Sequence, residues 1–301
     1  MAEPKFKKKS AAYLMKQNRI AYIFLAPFFI LFCIFTVLPV LISVVLSFTY
    51  FNMLQPPKFI GLDNYLTLIL NDDLFLTSLK NTFVYAILTG PAGYLISFLV
   101  AWFINEITPK IRWFIILLFY APAISGGGAL VWSLMFSSDS HGYLNGIMMY
   151  MGMIDEPIQW LQNVDYIMPI IVIVALWGSL GTGFLSFVAG LQGVDRSLYE
   201  AASVDGIKNR WQELWYVTLP SMKPQLMFGA VLTISGSLGV GASMAGNPSL
   251  EYTAYFMSMH LADYGTTRFE MGYASAIAVV MFFMMIGCNQ LIKNALSKIG
   301  S

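Results

Sequence analysis

Few side chains in this 301-residue chain have types and spacings that could do chemistry unaided. Asp139, Ser140 and His141 bring an acid, a nucleophile and a base together, but neighbours in sequence point different ways and cannot line up as a triad. They read as an outer-loop turn, and His260 reads as a loop histidine. The two cysteines, Cys33 and Cys288, stand in apolar runs and frame neither a zinc site nor a disulfide. No glycine is followed directly by lysine, so the phosphate-cradling loop of a nucleotide site is missing. What remains is binding chemistry. Trp177, Gly178 and Thr182 lie in WGSLGTGF, while Thr233 stands just before SGSLGVGAS, which contains Ser237. Hydroxyls beside an aromatic face suit a polyol and the apolar side of a sugar ring. Small residues at this density also let helices approach closely.

A second polar group is EAASVDGIKNRWQELWYVTLP, Glu200 to Pro220. Asp195 and Ser197 are candidate N-caps, since their side chains can accept from the orphan amides of a first turn. A short helix follows, with small Ala201 and Ala202 after Glu200, and Asp205-Gly206 ends it because glycine takes the left-handed conformation at little cost. KNRWQELWYVTL predicts a second amphipathic helix, which Pro220 and Pro224 stop. Two short helices meeting at an angle could touch a soluble partner, or could simply pack Trp211, Leu214, Trp215 and Val217 on a membrane interface.

The elements that must hold these residues are apolar. The chain is 57% hydrophobic and 11% charged, and its mean hydropathy is +0.67. A hydrocarbon core of about 30 Å needs roughly 20 apolar residues per helix. Six windows qualify, at about 20–50, 82–104, 113–136, 167–192, 226–246 and 271–292, and none contains Asp, Glu, Lys, Arg or His. The expected fold is therefore an all-α integral membrane protein with six transmembrane helices. Pro27 and Pro39 predict a kink or a projecting end in the first. The MAEPKFKKKS start resembles a secretory signal in charge, but the apolar run behind it is too long for one, so it reads as a retained helix with a basic tail over 1–19.

Charge sorting orients the bundle. With both termini cytoplasmic, fourteen of the seventeen Lys and Arg fall on the inner side, leaving Lys58, Lys80 and Arg268 outside. The basic tail reads as an anchor near anionic lipid, and the distribution gives no nucleic-acid footprint. The segment 195–224 then lies in the cytoplasm between the fourth and fifth spans. Outer segments 137–166 and 247–270 carry Asp139, Asp155, Glu156, Asp165, Glu251, Asp263 and Glu270 against Arg268 alone. Ion-driven carriers generally bury ionisable groups in the bilayer; spans without them imply that uphill transport draws its energy from another subunit. A self-contained secondary carrier or channel for a small polar solute is the rival class, and nucleotide-free transport by the isolated chain would identify it.

EAASVDG followed at a distance by LP resembles the EAA loop of permease subunits of binding-protein-dependent ABC importers. FIGLDNY (59–65), LKNTF (79–83), APAISGGGALVWSLMF (121–136) and VAGLQGVDRSLYEAA (188–202) extend the likeness to the carbohydrate-uptake branch, the maltose- and multiple-sugar-type permeases. One departure is visible: the interval from Glu200 to Pro220 is one residue longer than its commonest form. The resemblance implies a six-helix importer domain over 20–301 in which Glu200, Ala201, Ala202, Asp205, Gly206, Leu219 and Pro220 serve coupling to a cytosolic ATPase. It implies a substrate pathway that includes Ser125, Trp132, Trp177, Gly178, Thr182, Thr233 and Ser237. Implied partners are a second related permease, two ATPase copies and an extracytoplasmic solute-binding protein, with carbohydrate as cargo and a bacterial cytoplasmic membrane as location. ATP and Mg belong to the ATPase, and this chain itself is expected to bind no cofactor.

Overall fold

The computed structural model describes residues 19–125, 128–239 and 252–297. The basic tail over 1–18, Gly126 and Gly127, the 240–246 end of the fifth window, Glu251 and Lys298 lie outside the described residues, as does the side chain of Ser125. Among the described residues, four helical stretches are long and apolar enough to cross a membrane: Arg19–Leu46, Asp73–Asn105, Val164–Gln192 and Met271–Asn294. The third and fifth windows are carried by shorter helices.

The first helix, α1, spans Arg19–Leu46 and contains a π turn at Cys33–Val37. That turn stands immediately before Leu38-Pro39. A proline has no N–H to give and its ring collides with the carbonyl four residues back; widening the preceding turn relieves both, with the Leu38 N–H bonded to the Cys33 carbonyl. Nothing in Arg19–Phe32 is buried. A small hairpin follows, β1 (Thr49–Tyr50) against β2 (Lys58–Phe59), with Thr49 opposite Phe59. In α2 (Asp63–Leu70), buried Asn64 donates to the Ser47 and Thr49 carbonyls at 2.8 and 3.0 Å, and the Tyr65 hydroxyl donates to Ser47 Oγ at 2.7 Å. FIGLDNY is thus the clasp that fixes the end of α1.

The centre is α3 (Asp73–Asn105), capped by Asp72, which accepts from the Phe75 N–H at 2.8 Å. Then come α4 (Pro109–Ser125), α5 (Gly128–Met135), α6 (Tyr143–Tyr150), α7 (Val164–Gly178) and α8 (Thr182–Gln192). After α9 (Arg196–Val204), α10 starts as Arg210–Glu213, widens through a π turn at Leu214–Thr218 and closes as Leu219–Ser221. The last three are α11 (Lys223–Leu238), α12 (Met257–Ala262) and α13 (Met271–Ser297).

Helices α3, α8 and α11 pack pairwise on one another, α7 lies on α3, and α13 rests on α11 and the later part of α1. Without water to drive burial, such contacts depend on close fit. Phe184 and Phe187 of α8 are completely enclosed, and Phe187 meets Tyr94 and Phe98 edge-on at 5.3 and 5.7 Å. Small residues set the approach: a Cβ on Gly93 would come within 2.9 Å of Ser179 Cβ, and one on Gly229 would fall on the Phe187 ring.

Candidate functional site

The second short helix ends between Pro220 and Pro224, before the next span, as expected, but Pro220 itself does not stop it. Like Pro39, Pro220 follows a π turn and a leucine, and the helical path passes through it to break at Met222, whose φ and ψ are −103° and 20°. The bonding inside the turn is of the wide type, with the Leu219 N–H reaching the Leu214 carbonyl. The first helix of the pair behaves as its sequence requires. Asp195 accepts from the Ser197 N–H at 3.0 Å. At the other end the Ile207 N–H bonds the Ala202 carbonyl at 3.0 Å and the Gly206 N–H bonds the Ser203 carbonyl at 3.3 Å, the paired closure of a Schellman motif. Gly206 supplies the positive φ, +94°, with nothing within 4 Å of where a Cβ would stand.

The two arms differ in surface. On α9, Ala202 is buried while Glu200, Ala201, Val204 and Asp205 are exposed. On α10, Leu214, Val217 and Thr218 face inward, whereas Trp211, Trp215 and Tyr216 remain exposed. Tyr199 and Thr218 share a hydroxyl–hydroxyl bond of 2.9 Å that pins the arms together. Arg210 reaches both Glu106, at the end of α3, and Glu213, each at 2.9 Å, and Trp211 lies 5.1 Å from Trp102. Behind the elbow is a polar cavity of about 460 Å³ that includes Arg112, Arg196, Tyr199 and Arg210 in its wall. Leu214 joins the same buried cluster as Phe184, Phe187 and Leu191 of α8 and Leu226 of α11.

A second cavity, about 410 Å³, opens among α3, α7, α8 and α11. Gly178, Thr182, Thr233 and Ser237, chosen from sequence for their chemistry, all line it, joined by Tyr85, Thr89 and Ser179. Ser179 lies within the WGSLGTGF stretch, whereas Tyr85 and Thr89 had no signal in sequence, because single hydroxyls in an apolar helix do not announce which face they occupy. The glycine-rich stretch does more than permit close packing: it breaks the helix between Gly178 and Thr182. A free carbonyl at that break, on Ser179, accepts from Ser97 Oγ at 2.9 Å, as a discontinuous membrane helix needs where it borders a cavity. Among the described residues no Lys, Arg, His, Asp or Glu lines this cavity. Trp177 stands outside the wall, 45% exposed, edge-on to Trp132 at 6.0 Å. Ser125 is placed only as the end of α4.

At the opposite end of α3 from Glu106, His260 corrects the sequence expectation. It is not an exposed loop residue: it is 1% exposed within α12, with Nε2 3.0 Å from Asp72 Oδ2 and Nδ1 3.3 Å from the Tyr255 hydroxyl. Tyr273 donates to the same Asp72 oxygen at 2.6 Å. Burial lowers the His260 pKa against the opposing pull of Asp72, so the imidazole is held neutral. Burial alone would raise Asp72, but bonds from Tyr273, the Phe75 N–H and His260 together hold its carboxyl below the ordinary value. Asp139, Ser140 and His141 form a turn, with the His141 N–H on Asp139 Oδ1 at 2.8 Å.

Helices packed around a hydroxyl-lined cavity, with a capped elbow joined to one end through a shared core, define a membrane permease. The comparisons agree. The chain is 35% identical over 286 residues to "Probable ABC transporter permease protein YesP" of Bacillus subtilis (strain 168), covering 92% of this chain and 90% of that one. It is 31% identical to "Arabinooligosaccharides transport system permease protein AraP" of Halalkalibacterium halodurans, over 91% and 86% of the two chains. A "Lactose transport system permease protein LacF" of Rhizobium radiobacter is 28% identical over 88% and 89%. No family model matches. A crystal structure of a bacterial ABC transporter that imports the acidic polysaccharide alginate has the same fold, with a TM-score of 0.77 over 96% of this chain and 99% of that chain, at 24% identity. The chain belongs to the carbohydrate-uptake family of ABC transporter permeases.

Proposed function

We propose that this chain forms half of the translocation pathway of an ATP-driven oligosaccharide importer in a bacterial cytoplasmic membrane. Its six spans place both termini and the α9–α10 elbow in the cytoplasm. The elbow docks on one of two cytosolic ATPase copies, which hold the ATP and Mg; a second permease completes the pathway, and a solute-binding protein delivers cargo from outside. The sugar cavity is the one carrying Thr182, Thr233 and Ser237. Glu200 and Ala201 touch the ATPase, and Ala202, Asp205, Gly206, Leu219 and Pro220 fix the elbow's shape.

The observation that carries this reading is the shared core of Leu214 with Phe184, Phe187 and Leu191. Force applied to α10 reaches α8 through close-packed side chains, and α8 begins at Thr182 in the cavity wall. Close-packed cores transmit displacement instead of absorbing it. Gly206→Val tests it. The new side chain meets no neighbour, so the fold survives, but an L-residue at this φ costs about 1–2 kcal/mol and reopens the elbow. Reconstituted importer carrying Gly206→Val is expected to lose solute-stimulated ATP hydrolysis and uptake while keeping its subunits. Unchanged uptake and ATPase stimulation reject the reading, as does solute movement by the isolated chain without nucleotide.

A further inference from the structure

Six aromatic rings run beside α7 in an unbroken series. From Phe119 the centroid steps are 6.1 Å to Trp177, 6.0 Å to Trp132, 5.9 Å to Phe136, 6.2 Å to Trp160 and 5.7 Å to Tyr166. Its two α7 members, Tyr166 and Trp177, are eleven residues apart, about 16 Å along the helix, so the series follows α7 from its first turn to the break. There Trp177 stands outside the cavity wall but next in sequence to Gly178, which lines it. All six rings keep exposed surface; Trp177 and Tyr166 are 45% and 42% exposed. The far end is rigid, since Trp160 Nε1 donates at 2.8 Å to Oδ1 of fully buried Asn145.

Interfacial belting does not account for this placement. Tryptophans that anchor a helix in a bilayer collect at its two rims, whereas Trp177 lies three turns inside α7 at the level of the break. Closing a core accounts for part of it only: Phe119 packs against the buried cluster and Trp132, Phe136 and Trp160 are half-buried, but Tyr166 and Trp177 are exposed and every ring keeps some open surface. What a series of partly exposed rings offers is a succession of apolar faces, each able to stack on the C–H side of a sugar ring. Hydroxyls along the cavity then take over where the rings stop.

We propose that the Phe119–Tyr166 ring series is an extended subsite on which a neutral oligosaccharide lies in single file between the entry side and the hydroxyl-lined cavity. It rests on the carbohydrate-import reading given above and adds to it a path, a minimum shape for the cargo and a charge. No ring in the series is ionisable except the tyrosine, the cavity wall holds no cation among the described residues, and the segment over 137–166 has carboxylates but no Lys or Arg. A uronate chain therefore finds no counter-charge along this path, whereas neutral sugars need none.

The test uses the whole importer, with its partner permease, ATPase and binding protein, in vesicles of phosphatidylcholine and phosphatidylglycerol. Uptake of a neutral disaccharide is compared with that of the tetra- and pentasaccharide of the same sugar for Trp132→Leu, Phe136→Leu and the ring-keeping Trp132→Tyr and Phe136→Tyr. Each leucine variant is expected to slow the tetra- and pentasaccharide about two- to tenfold more than it slows the disaccharide, and to be rescued by tyrosine. Equal loss at every chain length means the rings are structural and overturns the proposal, as does no loss at any length. Uronate oligosaccharides carried as fast as neutral ones overturn its charge. If the wild-type importer carries no carbohydrate of any length, the import reading itself fails, a result distinct from all of these.

Discussion

Gly229→Ala in α11 sets two known effects against each other. Alanine is favoured over glycine inside a helix by about 0.5–1 kcal/mol, so helix propensity alone predicts a stabler protein. Packing predicts the reverse, because the added methyl would fall on Cε1 and Cζ of Phe187. That ring has nowhere to go: it is 0% exposed and held edge-on by Tyr94 at 88° and Phe98 at 83°. Overfilling such a core costs about 1–3 kcal/mol, so packing wins by about 1 kcal/mol. The assay is reversible denaturation of the chain in lipid nanodiscs, run as a cycle with Phe187→Leu. Leucine alone leaves a small void and costs up to about 1.5 kcal/mol, but it makes room for the methyl that Gly229→Ala adds. The double variant is therefore expected to be more stable than the sum of the singles by at least about 0.5 kcal/mol. A Gly229→Ala protein stabler than wild type, or strictly additive singles, refutes the claim that α8 and α11 are held at contact distance by this pair.

Acid should loosen the segment around α12. His260 has a lowered folded pKa, so its contribution is intact above its unfolded value near 6.5 and declines as pH falls from there toward the folded value; the lowered Asp72 pKa adds a further loss in stronger acid. Hydrogen exchange over 257–270 is expected to quicken below about pH 6.5, and His260→Asn should flatten that dependence; an unchanged profile in the variant counts against it. Asn145→Ala removes an amide that donates to the Ser137, Asp139 and Ile158 carbonyls and accepts from the Ile158 N–H and Trp160 Nε1. Leaving such groups unpaired costs about 1–3 kcal/mol each where they stay buried, so limited proteolysis should cut 137–163 in the variant and spare it in wild type. Arg210→Gln breaks two 2.9 Å ion pairs, yet its side chain is 64% exposed. Global stability should fall by less than about 1 kcal/mol, with faster exchange confined to 206–213.

Features with a period or a composition were legible in the sequence, and those made by long-range contact were not. Hydropathy located the long helices because it is a local sum over about 20 residues. The elbow was legible because Asp195, Asp205 and Gly206 act on their own backbone. His260 was misplaced because its burial is decided by Asp72, 188 residues away in sequence, and by Tyr273, which meets the same carboxylate across 201 residues. Tyr85 and Thr89 entered the cavity for a similar reason: α3 is apolar on all sides, so nothing in its pattern names the face turned to α8 and α11. FIGLDNY was legible as a likeness, while its work, closing the end of α1 through Asn64 and Tyr65, needed the coordinates.

The two leucine–proline pairs show how a local irregularity can be counted in sequence without being drawn. By the resemblance to the EAA loop, the interval from Glu200 to Pro220 counts one residue longer than the commonest form, and a straight α-helix would answer an added residue by rotating everything beyond it by about 100°, turning Leu214 and Val217 off the core. The π turn at Leu214–Thr218 takes in the extra residue within one turn. It also removes the clash that Pro220 would otherwise make, as the Cys33–Val37 turn does for Pro39. Both faces of α10 are thereby kept: Leu214 and Val217 stay buried, and Trp211, Trp215 and Tyr216 stay out. Deleting Tyr216 should restore an ordinary α turn and remove the slack before Pro220. If the register argument is right, Leu214→Cys stays protected from thiol labelling with and without the deletion, because removing the extra residue and the wide turn together leaves both faces in phase; exposure of Leu214→Cys on deletion means the turn does not absorb the extra residue.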